Sequence, residues 1–284
     1  MPDRSQWSLA APQKLTFDEP VTALAVRIVG GTVNVVGTDS GPAGLELSAI
    51  EGAPLVATLR DGTLTVAYED LPWKNILKWF DRSEWKRSAT ITLTVPTATR
   101  VETGVVGASA VVSGIAGPTE VKGVTGDITL VGVSGDVRAE SVSGRLEAQS
   151  LGGDLRFNSV SGDLTLIEGT GGRVKAESVN GDMTIDLAGA ARTPDLALTT
   201  VSGEVAIRLP QQVDADVEAN TTSGPVSCAF EDLRVGGQWG AKRITGTLGS
   251  GGGKLKITTV SGAVALLRRP PSPDDDAPAS GKVL

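Results

Sequence analysis

Histidine is absent from this chain of 284 residues, and its absence removes several kinds of catalytic site at once. Without an imidazole there is no Ser-His-Asp triad, no Cys-His pair and no metal site with histidine ligands. The chain has a single cysteine, Cys228, so no disulfide forms within it. From these absences we predict a protein that is not an enzyme and that has no cofactor and no metal site.

Aromatic residues and long apolar segments are also scarce. Aromatics make up 4% of the chain whereas 36 residues are glycine, which indicates many turns around a thin aliphatic core. No stretch approaches the roughly 18 apolar residues that span a membrane. The N-terminal segment MPDRSQWSLA lacks the apolar run of a secretory signal. We therefore expect the protein in the cytoplasm.

Basic residues are the minority among the charges. The chain has 26 lysines and arginines against 33 acids, a net charge of -7. A nucleic-acid-binding protein gathers basic side chains against phosphates. We therefore predict no nucleic-acid partner.

A short phrase built around a glycine recurs through the second half of the chain. Two apolar residues stand two positions apart after each glycine, as in Val137 and Ala139 or Leu155 and Phe157. A spacing of two is the period of a β-strand. Each unit thus predicts one short strand and one tight corner, and neighbouring units must stack to bury their apolar sides. The glycines recur every nine residues at Gly126, Gly135, Gly144, Gly153 and Gly162, and the series continues at Gly172 and Gly181.

The residues next to these glycines predict how the corners are built. We expect the preceding valines, such as Val133, Val142 and Val160, to point inward, and glycine to supply either a positive φ or a close backbone approach. An aspartate follows many of the glycines, and we interpret it as a hydrogen-bond acceptor for its own turn. A Ca²⁺ ligand is one alternative, but in Ca²⁺-binding β-rolls more glycines accompany the aspartate and another residue separates it from the aliphatic position. A catalytic carboxylate is the other, and it would explain two of the copies at most. These aspartates are Asp127, Asp136, Asp154, Asp163 and Asp182.

The first outward residue of successive units alternates in chemistry. In every second unit it is basic, at Arg138, Arg156 and Lys175. If two strands complete a coil of about 18 residues, these three side chains stack on one face, beside acidic or amide residues. The fold class is therefore predicted as all-β, a flattened two-sided β-solenoid of the β-helix or β-roll kind with glycine at its corners. The other face then stacks Thr129, Glu147, Thr165 and Thr184.

The remaining segments predict five regions. Alternating strand-like runs with a hairpin signal at Asp61-Gly62 indicate an N-terminal β region that is continuous with the solenoid or packed on it. The predicted regions are a flexible N-terminus (1–13), the N-terminal β region (14–70), a Trp-rich amphipathic insert (71–88), the solenoid (89–267) and a disordered tail rich in proline and aspartate (268–284).

The Trp-rich insert supplies a second group of candidate interaction residues, namely Trp73, Trp79, Phe80 and Trp85. Its favoured role is a cap on the open end of the solenoid, because exposed strand edges must be covered. Basic residues accompany the aromatics, so contact of 71–87 with a membrane surface is an alternative that we do not predict.

Several phrases of the chain resemble a known family. They are VSGD at Val133–Asp136 and Val160–Asp163, VNGD at Val179–Asp182, VSGE at Val201–Glu204 and the late LGSGGGKLKITTVSG. They are similar to the bacterial β-strand-repeat family of putative adhesins, a domain of unknown function. The resemblance covers roughly 21–267. It implies a β-solenoid with a binding or structural role, and it implies no catalytic residue.

Three functions follow as expectations. The leading one is a non-enzymatic, adhesin-like binding or scaffold protein that presents flat faces to an unknown protein or surface, with Arg138, Arg156 and Lys175 as the candidate contact. The second is a self-associating structural protein whose ends stack strand to strand. The third is a carbohydrate-active enzyme with paired carboxylates.

Overall fold

The computed structural model describes residues 5–69, 87–170, 172–189, 193–238 and 240–270. Over these residues the secondary structure consists of 26 β-strands in two long sheets. No helix of the described residues is long and apolar enough to cross a membrane. The all-β class is thereby confirmed.

Fourteen strands form sheet 1. In spatial order they are β1 (Ser5–Leu9), β6 (Leu55–Arg60), β7 (Thr63–Tyr68), β3 (Ala23–Ile28), β9 (Arg100–Val105), β11 (Thr119–Gly123), β13 (Val137–Ser141), β15 (Leu155–Ser159), β17 (Arg173–Glu177), β19 (Asp195–Thr200), β25 (Gly253–Thr259), β21 (Ala215–Thr221), β24 (Ala241–Leu248) and β23 (Arg234–Gln238).

Twelve strands form sheet 2. In spatial order they are β2 (Gln13–Phe17), β5 (Ala43–Glu51), β8 (Ser88–Pro96), β4 (Gly30–Thr38), β10 (Ser109–Ser113), β12 (Ile128–Val131), β14 (Leu146–Gln149), β16 (Leu164–Gly169), β18 (Met183–Leu187), β20 (Val205–Leu209), β26 (Val264–Arg268) and β22 (Val226–Cys228).

The chain alternates between the two sheets through the middle of the molecule. Each strand pairs in parallel with the strand two places on in the chain, so Val137 lies beside Leu155 in sheet 1 and Leu146 beside Leu164 in sheet 2. The register offset in these pairs is 18 residues. One coil is therefore two strands and two corners, which confirms the predicted two-sided solenoid.

The core is a thin layer of aliphatic side chains between the sheets. The residues predicted to point inward are buried, among them Ala139, Phe157 and Ile185, each at 0% exposure. Their partners two positions away, such as Val137 and Met183, are buried as well. Because every coil contributes the same alternation, the core runs continuously along the solenoid and stabilises it by stacking.

Two kinds of corner connect the sheets. We call the passage from sheet 1 to sheet 2 the forward corner and the passage back the return corner. At both corners the backbone of a glycine lies directly against the backbone of the preceding coil. A methyl group added at Gly126 would overlap the carbonyl oxygen of Ala108, and one at Gly135 would overlap that of Gly117. These glycines are needed for close backbone approach, since neither has a positive φ.

At the forward corner a small hydroxyl residue precedes the valine and points inward. Ser141 is buried, and its Oγ accepts a hydrogen bond from the N–H of Gly144 at 2.9 Å. The same bond recurs from Gly181 to Ser178 at 2.9 Å and from Gly203 to Thr200 at 3.2 Å. Each hydroxyl therefore satisfies a buried backbone donor of the turn.

The expected inward direction of the corner valines is correct at one corner and wrong at the other. At the return corner Val133 is fully buried, whereas Val142 and Val160 at the forward corner are 44% and 49% exposed. The residue before the valine explains the difference. Gly132 adopts a left-handed φ of 60°, which turns Val133 inward, whereas Ser141 is extended and inward, so strand alternation puts Val142 outside.

The corner aspartates do bind backbone N–H groups, but not those of their own turns as predicted. Oδ1 of Asp136 accepts from the N–H of Asp154 at 3.2 Å, and Oδ1 of Asp154 accepts from the N–H of Arg173 at 2.7 Å. The donor belongs to the next coil. These side chains therefore join neighbouring coils to each other. The same bond is made by Asp127, Asp163 and Asp182.

The N-terminal region forms the first coils of the same solenoid. Strands β3 and β4 pair in parallel with β9 and β10, and β7 and β8 stack on their other side. Antiparallel strands β6 and β5 follow, and β1 and β2 lie outermost. The prediction of a flexible segment over 1–13 is therefore wrong for Ser5–Leu9, because Leu9 is fully buried and this strand pairs with β6.

The C-terminal end reverses the order of the chain. Strands β21 and β22 form the last parallel coil in space, and β25 and β26 fit between them and β19 and β20. The hairpin of β23 and β24 covers β21 in the antiparallel sense. Regular structure ends at Arg268, one residue inside the predicted tail, and the tail from 271 on lies outside the described residues.

Candidate interaction surface

The outer face of sheet 1 carries the predicted basic ladder. Arg138 lies directly beside Arg156, and Arg156 beside Lys175, on strands β13, β15 and β17. The next outward positions on the same strands are Glu140, Asn158 and Glu177. The 18-residue period therefore brings together the three basic residues that the sequence indicated.

Two of the three cations are paired along their own strand. Nη2 of Arg138 lies 2.6 Å from Oε1 of Glu140, and Nζ of Lys175 lies 2.7 Å from Oε1 of Glu177. The hydrogen bond with Glu140 raises the pKa of Arg138. The hydrogen bond from Lys175 lowers the pKa of Glu177, and the charge of Arg156 acts in the same direction. Both shifts favour the charged forms of Arg138 and Glu177.

Arg156 is the exception, because its strand offers the neutral Asn158 where its neighbours offer glutamate. Within the described part of the chain its exposed guanidinium has no ion-pair partner. It stands between two like charges in the direct cross-strand position, an arrangement that disfavours folding. The middle residue of the ladder is thus an arginine whose guanidinium N–H groups are available to a partner and whose cross-strand neighbours are both positively charged.

A groove of about 410 Å³ surrounds this arginine on the sheet surface. Three acids, Glu120, Asp136 and Asp154, also line it. The two aspartates are held by backbone N–H groups, and Glu120, whose pKa is lowered by a hydrogen bond from Lys122, lies 2.7 Å from that lysine. With five cations and three acids in its lining, the groove carries a positive excess. Its cations are Arg100, Arg138, Arg156, Arg173 and Lys175.

Arg100 and Arg173 were missed as site residues in the sequence. Both occupy the column just before the ladder, at positions where other coils carry Pro118, Asp136 or Asp154. Nε of Arg173 lies 2.7 Å from Oδ2 of Asp195 on the next strand, and this hydrogen bond raises the pKa of Arg173. The signal in the sequence is the coil period, because Arg173 follows Asp154 by 19 residues and takes its place in the next coil.

The outer face of sheet 2 has a different chemistry. Its central column runs through Thr129, Glu147, Thr165 and Thr184 in the predicted register. Towards the N-terminal end, outward residues on β8, β4, β10 and β12 carry no charge. These are Thr90, Thr92, Thr94, Thr32, Asn34, Val36, Ser109, Val111, Ser113, Thr129 and Val131. Charge is therefore concentrated on sheet 1.

The second predicted group, Trp73, Trp79, Phe80 and Trp85, lies outside the described residues. The strands on either side of it, β7 and β8, belong to sheet 1 and sheet 2. In the described ranges no three acidic or cysteine side chains are grouped to hold a metal ion.

The comparison with family models decides the relationship of the chain. The model described as Toastrack DUF4097 matches residues 31–267, which is most of the protein. The chain belongs to the Toastrack DUF4097 family. This family is a domain of unknown function, and the resemblance seen in the repeated phrases is confirmed by the match.

Other comparisons add little to the Toastrack assignment. No curated protein matches the chain. A solved structure of a putative cell adhesion protein from Clostridium sporogenes is similar at 13% identity, covering 95% of this chain and 100% of that one, with a TM-score of 0.27. At that TM-score the likeness carries no argument about this Toastrack protein.

Proposed function

We propose that this Toastrack protein is a non-enzymatic, adhesin-like binding module that docks a negatively charged partner surface on the outer face of sheet 1. The observation that carries the proposal is the ladder of Arg138, Arg156 and Lys175 around a groove, in which Arg156 has no acid partner among the described residues. A partner carboxylate or phosphate would supply the missing counter-charge, for which the planar guanidinium is well suited.

The charge distribution supports docking of an anionic partner. The protein as a whole has a net charge of -7, so a positive groove is a local exception to its surface. A patch of opposite sign steers a charged partner and fixes its orientation. The ion pairs beside Arg156 are exposed and contribute little to stability, so the ladder is better explained by binding than by folding.

The corner carboxylates favour this proposal over a carboxylate-based hydrolase. Asp136, Asp154 and Asp163 each accept a hydrogen bond from the backbone of the next coil. A repeated structural bond accounts for the repeated residue, and it gives these carboxylates a partner already.

Both ends of the solenoid bear on the alternative of end-to-end stacking. Antiparallel strands β1 and β2 cover one end, and β23 and β24 cover sheet 1 at the other. Antiparallel strands at these edges end the parallel repeat, and the remaining edge, β22 of sheet 2, is only three residues long, which opposes strand addition. We therefore do not propose stacking through the ends.

The test is binding of a polyanionic probe, poly-glutamate, measured by titration calorimetry at several salt concentrations. We expect Arg156→Gln to weaken binding about threefold and the triple change to Gln at 138, 156 and 175 to weaken it at least tenfold. The matched control is Lys256→Gln, which removes one charge from the same column of sheet 1 outside the groove and should change the affinity less than twofold.

Stability measurements on the same variants separate binding from folding. Since Arg156 stands between like charges, Arg156→Gln should leave the melting temperature unchanged or raise it slightly. If the wild type and the triple variant bound poly-glutamate with equal affinity and equal salt dependence, the ladder would not be the contact surface.

A further inference from the structure

A straight line of exposed valines runs along the forward corner of the solenoid. Val142, Val160, Val179, Val201 and Val260 are each 43–49% exposed. Among the described residues, five of the nine exposed large hydrophobic side chains lie on this line. Scattered exposed valines are normal, whereas five in adjacent coils are not scattered. We call these five residues the valine ridge.

The backbone holds the ridge rigid and regular. The N–H of Val179 donates to the carbonyl of Val160 at 3.3 Å, that of Val201 to Val179 at 3.1 Å, and that of Val260 to Val201 at 3.2 Å. Successive valines are therefore separated by one inter-strand spacing, roughly 4.8 Å. The ridge does not need to order itself on binding, which lowers the entropic cost of association.

The residues that immediately follow the ridge are polar and uncharged. They are Ser143, Ser161, Asn180, Ser202 and Ser261, all exposed. The residues next to the valines therefore add no charge to a contact along this edge, although each molecule carries a net charge of -7.

We propose that the valine ridge is a self-association surface, on which two copies of the chain lie side by side with their ridges in contact. A second copy fits because it has the same ridge with the same period, so each valine meets a valine of the partner copy. A two-fold axis makes such a contact closed and self-complementary. This association uses a long edge of the solenoid and leaves its ends and the groove around Arg156 free.

Charges beside the ridge select the direction of the two copies. With parallel solenoid axes, the sheet 1 side of one copy faces the sheet 2 side of the other, so Glu140 meets Arg145 of the same coil in the partner copy. Among the described residues Glu140 is paired with Arg138, whereas the guanidinium of Arg145 has no ion-pair partner, so Arg145 is the group that gains a counter-charge in the dimer. The two-fold axis forms this attractive pair twice, and it also repeats the repulsion between Glu177 and Asp182 twice.

The antiparallel arrangement is less favourable. It would put Glu177 against Glu177, Asp182 against Asp182 and Asp163 against Glu204, with no opposite charges in register. Like charges brought together at an interface act against that arrangement. We therefore commit to parallel solenoid axes. The contact is narrow, so the dimer should be weak, in the range of small transient interfaces.

The first experiment measures molar mass by sedimentation equilibrium up to about 1 mM protein. We expect a reversible monomer–dimer equilibrium in the wild type. Changing Val160, Val179 and Val201 together to serine should weaken dimerisation at least tenfold. The matched control, Val36→Ser with Val131→Ser, alters two comparably exposed valines on the outer face of sheet 2 and should leave dimerisation unchanged.

The second experiment determines the direction by disulfide cross-linking, with Cys228→Ser removing the natural thiol. In the parallel dimer Val160→Cys meets itself and should cross-link as a single variant, whereas Val131→Cys should not. In an antiparallel dimer Val160→Cys would cross-link only in a mixture with Val201→Cys.

Three outcomes would overturn the proposal. They are a monomer at every concentration, a dimer that the ridge variant does not weaken, and cross-linking in the antiparallel pattern. Because none of the ridge variants touches the groove of sheet 1, poly-glutamate binding by these variants reports on that site separately.

Discussion

The forward and return corners have nearly the same four-residue sequence, but the valine that begins it points outward at one corner and inward at the other. Val133-Ser134-Gly135-Asp136 turns at the return corner with its valine buried, while Val160-Ser161-Gly162-Asp163 turns at the forward corner with its valine 49% exposed. The glycine has the same role in both, which is close approach to the previous coil. The difference arises one residue earlier, where a left-handed glycine or an extended hydroxyl residue sets the direction of the valine.

This comparison shows how one repeat builds two unlike edges. At the return corner the valine adds to the core, and the corner is closed to solvent by an apolar side chain. At the forward corner a hydroxyl takes the inward place and binds the turn, so the valine is free to form a surface. The valine ridge therefore results from the inward hydroxyl that precedes each of its members.

The largest expected effect tests the feature that the corners share. Gly126→Ala should cost more than about 4 kcal/mol or prevent folding, because the new methyl group overlaps the backbone of Ala108 in the neighbouring coil. Gly132→Ala is the matched control, since its methyl group meets open space and only the left-handed φ of 60° opposes it. We expect about 1 kcal/mol there. Urea unfolding measures both, and equal losses would contradict close approach as the reason for Gly126.

The second effect tests the orientation of the valines. Val133→Ala removes fully buried methyl groups and should lower the free energy of unfolding by about 2–3 kcal/mol. Val160→Ala, at the forward corner, should lower it by less than about 0.5 kcal/mol. Denaturation at micromolar protein keeps any dimer from contributing. Similar losses at the two corners would mean that the valines do not differ in orientation.

The smallest effect tests the inward hydroxyl of the forward corner. Ser178→Ala leaves the buried N–H of Gly181 without its acceptor and should cost about 1–2 kcal/mol. Ser178→Thr should keep the stability of the wild type, because Thr200 makes the same hydrogen bond in the next coil. Ser134→Ala, at the exposed serine of a return corner, is the control and should have no effect. Thermal unfolding compares the melting temperatures of the three variants. If Ser178→Ala had the melting temperature of the wild type, this hydrogen bond would not stabilise the corner.

Local periodicity predicted much of the fold and part of the site. The period of two marks the buried residues such as Ala139 and Phe157, and the nine-residue spacing gives the two-strand coil and the register of Arg138 with Arg156. These features repeat along the chain, so neighbouring copies reveal them. The inward direction predicted for Val142 and Val160 is wrong although its signal is local, because the hydroxyl residue before each valine takes the inward position.

Other features depend on contacts between distant segments. Asp136 bonds to the next coil and not to its own turn, and Ser5–Leu9 becomes a strand because β6 offers it an unpaired edge. Neither has a local signature strong enough to distinguish the outcomes. The groove likewise needs Arg100, which lies far from Arg156 in the chain and meets it only across stacked coils.

By itself the sequence of this Toastrack protein determined the repeating unit, the inward and outward residues of its strands and the basic ladder on one face. These follow from a period of two within strands and about 18 between coils, and both periods are properties of short segments. The tertiary structure alone decided how the ends are closed, where β25 and β26 fit and that Val260 joins the ridge directly beside Val201. These depend on which strand edges remain unpaired after the coils have stacked, and that is a property of the whole chain.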